Sequence, residues 1–165
     1  MGATLSNLDL TGTGYCASLN FRRTARAVTR MYDMAMQASG VRSTQFAILI
    51  GVAKTQPVSM GTLADTLGVD RTTLTRSVRL LQKEGMLTRS KRSAMRQRFL
   101  QLTPAGEKAL KRSLPLWREA HALFVSTVGA DYWLKLRAEL EGLAQTTLKI
   151  VPAADSANTS APARQ

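Results

Sequence analysis

The sequence predicts a mainly α-helical fold with one small β-hairpin, and three observations predict it. Apolar residues recur at helical spacing through most of 16–149. Gly40, Pro57, Gly85 and Gly129 cut that pattern into separate helices. Only around 86–102 does the pattern change: two short β-prone runs, 86-MLTRS-90 and 98-RFLQL-102, flank the basic loop 91-KRSAMRQ-97.

Each element has a local reason. Residues 1–14 are polar and Gly/Thr-rich and are expected to be flexible. A helix over about 16–38 takes Leu19, Ala25, Val28, Tyr32, Ala35 and Met36 as its apolar side, and Arg22, Arg26 and Arg30 form an i, i+4 row. Ser43 or Thr44 is expected to cap a second helix, about 44–54, with Phe46, Leu49, Ile50 and Ala53 inward and Pro57 as its stop. Ser59 then caps a short helix, 60–66, and 67-LGV-69 makes a tight turn. Asp70 caps the next helix, 71-RTTLTRSVRLLQKEG-85, because its carboxylate accepts from free N–H groups at the positive helix end. After the hairpin, Thr103 caps a long helix to about 127, Pro104 takes its first position, and Pro115 is expected to bend it. A last helix covers about 131–149, and 152–165 is a disordered tail by composition.

Composition narrows the function. At 165 residues with 44% hydrophobic content, the chain suggests one domain with room for a core. No apolar run approaches the roughly 20 residues that span a bilayer, so no membrane partner is expected. The N-terminus lacks a basic start and a long apolar run, so a secretory signal is not expected. Cys16 is the single cysteine, which excludes an intrachain disulfide and suits a reducing cytoplasm. Net charge is +12, and residues 71–98 hold nine basic groups against one acid, Glu84, a net +8 within 28 residues. So focused a patch points to a polyanionic partner.

The helix at 71–85 divides the work. Leu74, Ser77, Val78 and Leu81 fall on one side, and Leu80 widens it. Thr72, Arg76, Arg79 and Lys83 fall on the other, flanked by Thr73 and Thr75. A short helix, a tight turn, a cationic helix and a basic hairpin in that order read as a winged helix-turn-helix, whose second helix enters the DNA major groove. Arginine can bond bidentately to guanine, and threonine offers a hydroxyl for base or phosphate oxygens and a methyl for thymine. The candidate DNA-binding residues are therefore Thr72, Thr73, Thr75, Arg76, Arg79 and Lys83, with Lys91, Arg92 and Arg96 in the hairpin loop reaching an adjacent minor groove or backbone.

On 44-TQFAIL-49, 61-GTLADTLGVDRTTLTRSVRLLQKEGML-87 and 102-LTPAGEKAL-110, the chain resembles the MarR family of winged-helix transcription regulators over roughly 16–149. The resemblance implies a homodimer with interleaved first and last helices, bound to a pseudo-palindromic operator near the genes it controls. Many members are repressors released by small aromatic or phenolic ligands, and one branch senses peroxide through an N-terminal cysteine. The family's wing often carries an acid, one residue, then arginine. Here 93-SAMRQR-98 has no acid, and either Met95 or Arg96 takes the arginine place.

The organisation expected is a flexible segment 1–14, one domain over 15–151 and a tail 152–165, with a DNA-binding lobe at about 56–103 and dimerisation helices at 15–40 and 104–150. Leu19, Val28, Trp117, Phe124, Leu136, Leu140 and Leu143 are more apolar surface than one winged helix can cover, which favours a two-fold dimer. An effector pocket would draw on Tyr32, Phe46 and Trp117, with Arg26 as anchor for a carboxylate; each aromatic reads equally as core. Cys16, near a helix start with Arg22 and Arg23 close in sequence, is the candidate redox-sensing thiol, though the tyrosine common in the peroxide-sensing branch is replaced by Asn20. His121 is alone, and no Cys/His/Asp cluster suggests a metal or other cofactor. No phosphate-cradling glycine loop, nucleophile elbow or carboxylate pair suggests catalysis. A non-specific architectural DNA coat and a module for acidic proteins are the remaining classes; the threonine-rich face favours a sequence-reading regulator over the former.

Overall fold

The computed structural model describes residues 9–90 and 99–150. The chain divides into two compact units, Met1–His121 and Ala122–Gln165. The helical expectation is met, with a small antiparallel sheet as its β component.

In the first unit, one 3-10 turn (Thr13–Tyr15) precedes α1 (Ala17–Met36), which tightens into a second 3-10 turn (Gln37–Ser39) before Gly40. Then follow α2 (Ser43–Thr55), β1 (Val58–Ser59), α3 (Met60–Leu67), α4 (Arg71–Lys83), β2 (Leu87–Arg89), β3 (Phe99–Leu102) and α5 (Pro104–Val128). The core gathers one face of each: Met36 from α1, Phe46, Leu49 and Val52 from α2, Leu63 from α3, Leu74, Val78 and Leu81 from α4, Leu87 and Leu100 from the sheet, and Ala109 from α5. Burying each large side chain contributes about 1.5–3 kcal/mol, which gives these faces their hold on the helices.

Three local expectations need correction. The start of α2 is not capped by Ser43 or Thr44. Ser43 is already helical, and its backbone N–H and hydroxyl both donate to Asp33 Oδ1 at 2.7 Å, so a carboxylate from α1 does the capping. Gln45 Oε1 accepts from the Arg42 N–H at 3.0 Å and completes that end. Leu80 does not widen the apolar side: it is 48% exposed, because Leu74, Val78 and Leu81 already occupy the strip that faces the core. The sheet has three strands, not two. β1 pairs with β3 through Val58↔Leu100 and Ser59↔Phe99, while β2 pairs with β3 through Leu87↔Leu102, Thr88↔Gln101 and Arg89↔Leu100. Two residues after a proline carry too little pattern to read as a strand; the long-range partner makes it one. The long helix, α5, holds Pro115 inside it, as the sequence places it.

The joint between β2 and α5 is tight. The Thr103 N–H donates to Met86 O at 3.1 Å and its hydroxyl to Gly85 O at 2.6 Å. The Thr103 hydroxyl oxygen also accepts from the Gly106 N–H at 3.0 Å, as the expected cap. A side chain at Gly106 would run into the Met86 carbonyl, a backbone group that cannot swing away.

In the second unit, Gly129 (φ 92°) separates the end of α5 from α6 (Ala130–Ile150). Phe124 and Trp133 meet edge to face with ring centroids 5.1 Å apart. Otherwise the apolar face of α6 is open: Leu134, Leu140, Leu143, Leu148 and Ile150 are exposed, and no residue of the helix is buried.

Gly106→Ala is expected to cost about 3 kcal/mol or more, since an overpacked contact against fixed backbone cannot relax. Urea unfolding of the variant beside wild type measures it, and an unchanged midpoint would show that the joint gives way.

Candidate nucleic-acid interface

The interface is built outward from α4. The turn before it needs a left-handed residue, and Gly68 (φ 62°) supplies one. The α3 start is capped by Ser59, whose Oγ accepts from the Thr62 N–H at 3.1 Å. The α4 start is capped by Asp70, whose Oδ1 accepts from the Thr73 N–H at 2.7 Å. Hydrogen bonds from the Thr73 hydroxyl and then from its backbone N–H hold the Asp70 carboxyl below its ordinary value of 3.8. At the far end, Glu84 accepts from Gln45 Nε2 at 3.1 Å, so the acid that follows the helix is engaged with α2.

With Leu74, Val78 and Leu81 buried, helical geometry turns Thr72, Thr73, Arg76, Arg79 and Lys83 to solvent. Among the described residues no carboxylate lies within 4.0 Å of these cations; the ion pair recorded, Lys135 with Glu139, is on α6. The three threonines differ in a way that spacing could not show. Thr75 is half-buried and its hydroxyl donates to Arg71 O at 2.6 Å, while the Thr73 hydroxyl turns to Asp70. Among the described residues the exposed Thr72 hydroxyl makes no hydrogen bond. Lys91, Arg92 and Arg96, with the rest of 93-SAMRQR-98, lie outside the described residues. The strands that carry this segment are in place, and the Ser90 N–H donates to Phe99 O at 2.9 Å to close the ladder.

The candidate effector residues divide. Phe46 and Trp117 have ring centroids 5.8 Å apart, Trp117 stacks on His121 at 5.0 Å, and His121 Nδ1 lies 2.9 Å from the Tyr32 hydroxyl. Three of the four are thus joined, and His121, the lone histidine of the sequence, is the link. Its i, i+4 spacing from Trp117 was the available signal. Partial burial pushes the Tyr32 hydroxyl pKa up. Arg26 stands apart, in an open groove along α1 with Ala25, Thr29, Arg30, Asp33, Met34 and Gln37. Cys16 is exposed at the N-cap position of α1, and its carbonyl accepts from Asn20 Nδ2 at 3.0 Å. Among the described residues no group of three His, Cys, Asp or Glu side chains is placed to hold a metal ion, and no helix is long and apolar enough to cross a membrane.

Comparison with known proteins agrees with this architecture. The sequence pattern of the MarR family matches residues 39–98. The Mycobacterium tuberculosis transcriptional regulator MosR, solved in complex with DNA, is 32% identical, with 83% of this chain and 99% of that one covered and a TM-score of 0.75. Two others share the fold at 20% identity. The transcriptional repressor CouR bound to a 23-mer DNA duplex has a TM-score of 0.70, with 83% of this chain and 98% of that one covered. The Streptomyces coelicolor regulator PcaV, in complex with its natural ligand, has a TM-score of 0.71, with 89% and 99% covered. No curated protein sequence matches the chain.

Because the folded Asp70 pKa is lowered, its capping contribution is complete above pH 3.8 and is lost as pH falls through the lower folded value. Asp70→Asn keeps a capping oxygen that does not titrate. The wild-type advantage in melting temperature over Asp70→Asn is therefore expected to shrink as melts are taken below that pH; a constant difference would mean that the carboxylate charge does not contribute.

Proposed function

We propose a role on one premise: the chain belongs to the MarR family of DNA-binding transcription regulators. The protein acts as a homodimer on a pseudo-palindromic operator near the genes it controls, and represses them until a small aromatic ligand releases it. Its solved relatives are regulators rather than enzymes.

One observation carries the DNA reading. The two faces of α4 are distinct, with Leu74, Val78 and Leu81 sealed in the core and Thr72, Arg76, Arg79 and Lys83 outside without an acid among the described residues to neutralise them. In this reading the lobe at about 56–103 docks with the leading turns of α4 in the major groove. Arg76 and Arg79 meet base edges there, and Lys83, further along, meets phosphate. Thr72 offers the free hydroxyl of the set. Lys91, Arg92 and Arg96 of the wing reach the adjacent minor groove or backbone.

The helices at 15–40 and 104–150 form the dimer in this reading. Its support is the uncovered apolar surface on each: Leu19 and Phe21 on α1, Leu140, Leu143 and Leu148 on α6, all exposed in the single chain. A two-fold partner removes such surface from water and spaces two α4 helices roughly 34 Å apart, one turn of DNA. The ligand reading is supported by the joined rings of Phe46, Trp117 and His121 with the Tyr32 hydroxyl, an apolar wall that carries polar atoms.

The test is a titration of the protein onto DNA from upstream of its own gene and onto scrambled DNA of equal length at physiological salt. A large preference with two protomers per site is expected; equal binding to both would leave charge alone as the driving force. Arg76→Ala should cost about 1–3 kcal/mol on the preferred site and less on scrambled DNA. Equal losses on both would reduce Arg76 to a backbone contact. Aromatic acids and phenols are then screened for release. Tyr32→Phe removes one hydroxyl from the cluster, so it should shift the ligand concentration for half release while leaving affinity for free operator unchanged; an unshifted release curve would take the ligand out of this cluster.

A further inference from the structure

We propose that Arg71 is a DNA-phosphate clamp seated on Gly61, an assignment that rests on the DNA-binding reading above. Arg71 opens α4 but does not lie on the stripe formed by Thr72, Arg76, Arg79 and Lys83. Its side chain runs back across the turn to the first residues of α3. A Cβ placed at Gly61 would lie 3.4 Å from Arg71 Nη2 and 3.9 Å from its Cζ, with Ser59 Oγ at 3.8 Å. The guanidinium thus rests beside residue 61 at the start of α3, the same turn in which the Ser59 and Thr62 hydroxyls share a hydrogen bond at 2.9 Å.

Two features turn this contact into an assignment. The first is the glycine. Gly61 is the second residue of α3, and its φ is not in the left-handed region that would demand a glycine. A methyl at 61 would touch the Arg71 guanidinium at 3.4 Å, and a branched side chain would crowd it. The second is the absence of a carboxylate. Arg71 is exposed, and among the described residues no acid lies within 4.0 Å of it; the carboxylate next to it in sequence, Asp70, is occupied by Thr73. A cation set across a turn and left unneutralised is available to an outside anion. Its planar fork of N–H donors matches two oxygens of one phosphate group. Its place between the starts of α3 and α4, rather than on the outward stripe, suits the DNA backbone beside the groove that α4 would enter, so the contact adds affinity without reading sequence.

The experiment measures the salt dependence of binding to a random-sequence duplex, which needs no operator. Arg71→Ala is expected to make the slope of log K against log salt shallower by about one, the loss of one phosphate contact. Arg71→Gln should do the same, and Arg137→Ala, on exposed α6, should not. Gly61→Val fills the seat without changing any charge; it is expected to flatten the slope as Arg71→Ala does, and the double variant should be no flatter than either single one. Thermal melts confirm that each variant folds. An Arg71→Ala slope equal to wild type would overturn the clamp. A flattened Arg71→Ala with an unaltered Gly61→Val would overturn the seat and leave Arg71 as diffuse charge. Wild-type protein that binds no duplex at any salt concentration would instead overturn the DNA-binding reading itself.

Discussion

The structure depends on the burial of three side chains, Leu74, Val78 and Leu81, which are 1%, 3% and 0% exposed. A helix is a stiff rod with a fixed turn per residue, so once one strip is locked the orientation of every other side chain follows. The lock is cooperative. The α4 residues meet Leu49 and Val52 of α2 and Leu63 of α3 in one cluster, so three helices fix one another. The two ends are then tied by polar contacts, Asp70 to Thr73 at the start and Glu84 to Gln45 at the finish. The cationic face is outside because no rotation of the rod could bury it without exposing the leucines.

A second joint orients the wing. Gly85 and Met86 leave α4, and their carbonyls are taken by Thr103 at the start of α5. Both ends of the hairpin are therefore pinned within a few residues of each other before any strand pairing is counted. This gives physical content to the run 102-LTPAGEKAL-110. Leu102 ends a strand, Thr103 caps, Pro104 needs no N–H partner, Gly106 lets Met86 come close, and Ala109 enters the core. The same joint connects the α5 helix, which carries Trp117 and His121, to the exit of α4, so a ligand among those rings would act on a helix bonded directly to the DNA-facing element.

The outer helices have a different character. Facing the core, α1 buries Met36 alone, and α6 buries nothing. Open leucines on helices of this length leave apolar surface in water, and in the reading proposed above a second copy covers it.

Sequence by itself determined the helices, their caps at Ser59, Asp70 and Thr103, the breaks at Gly85 and Gly129, the hairpin, and which side of α4 is apolar. These are short-range facts: a cap bonds its own third residue, and an apolar stripe repeats within two turns. Tertiary structure alone decided where the polar atoms found distant partners. It gave the α2 start to Asp33, made a strand of Val58 and Ser59, left Leu80 in solvent, joined His121 to Tyr32, and brought the Arg71 guanidinium beside Gly61. It also separated Arg26 from the aromatics and distinguished three threonines that look equivalent in a row. Each of these depends on which faces of different elements meet, and one chain's local periodicity carries a face's polarity but not the identity of the face opposite.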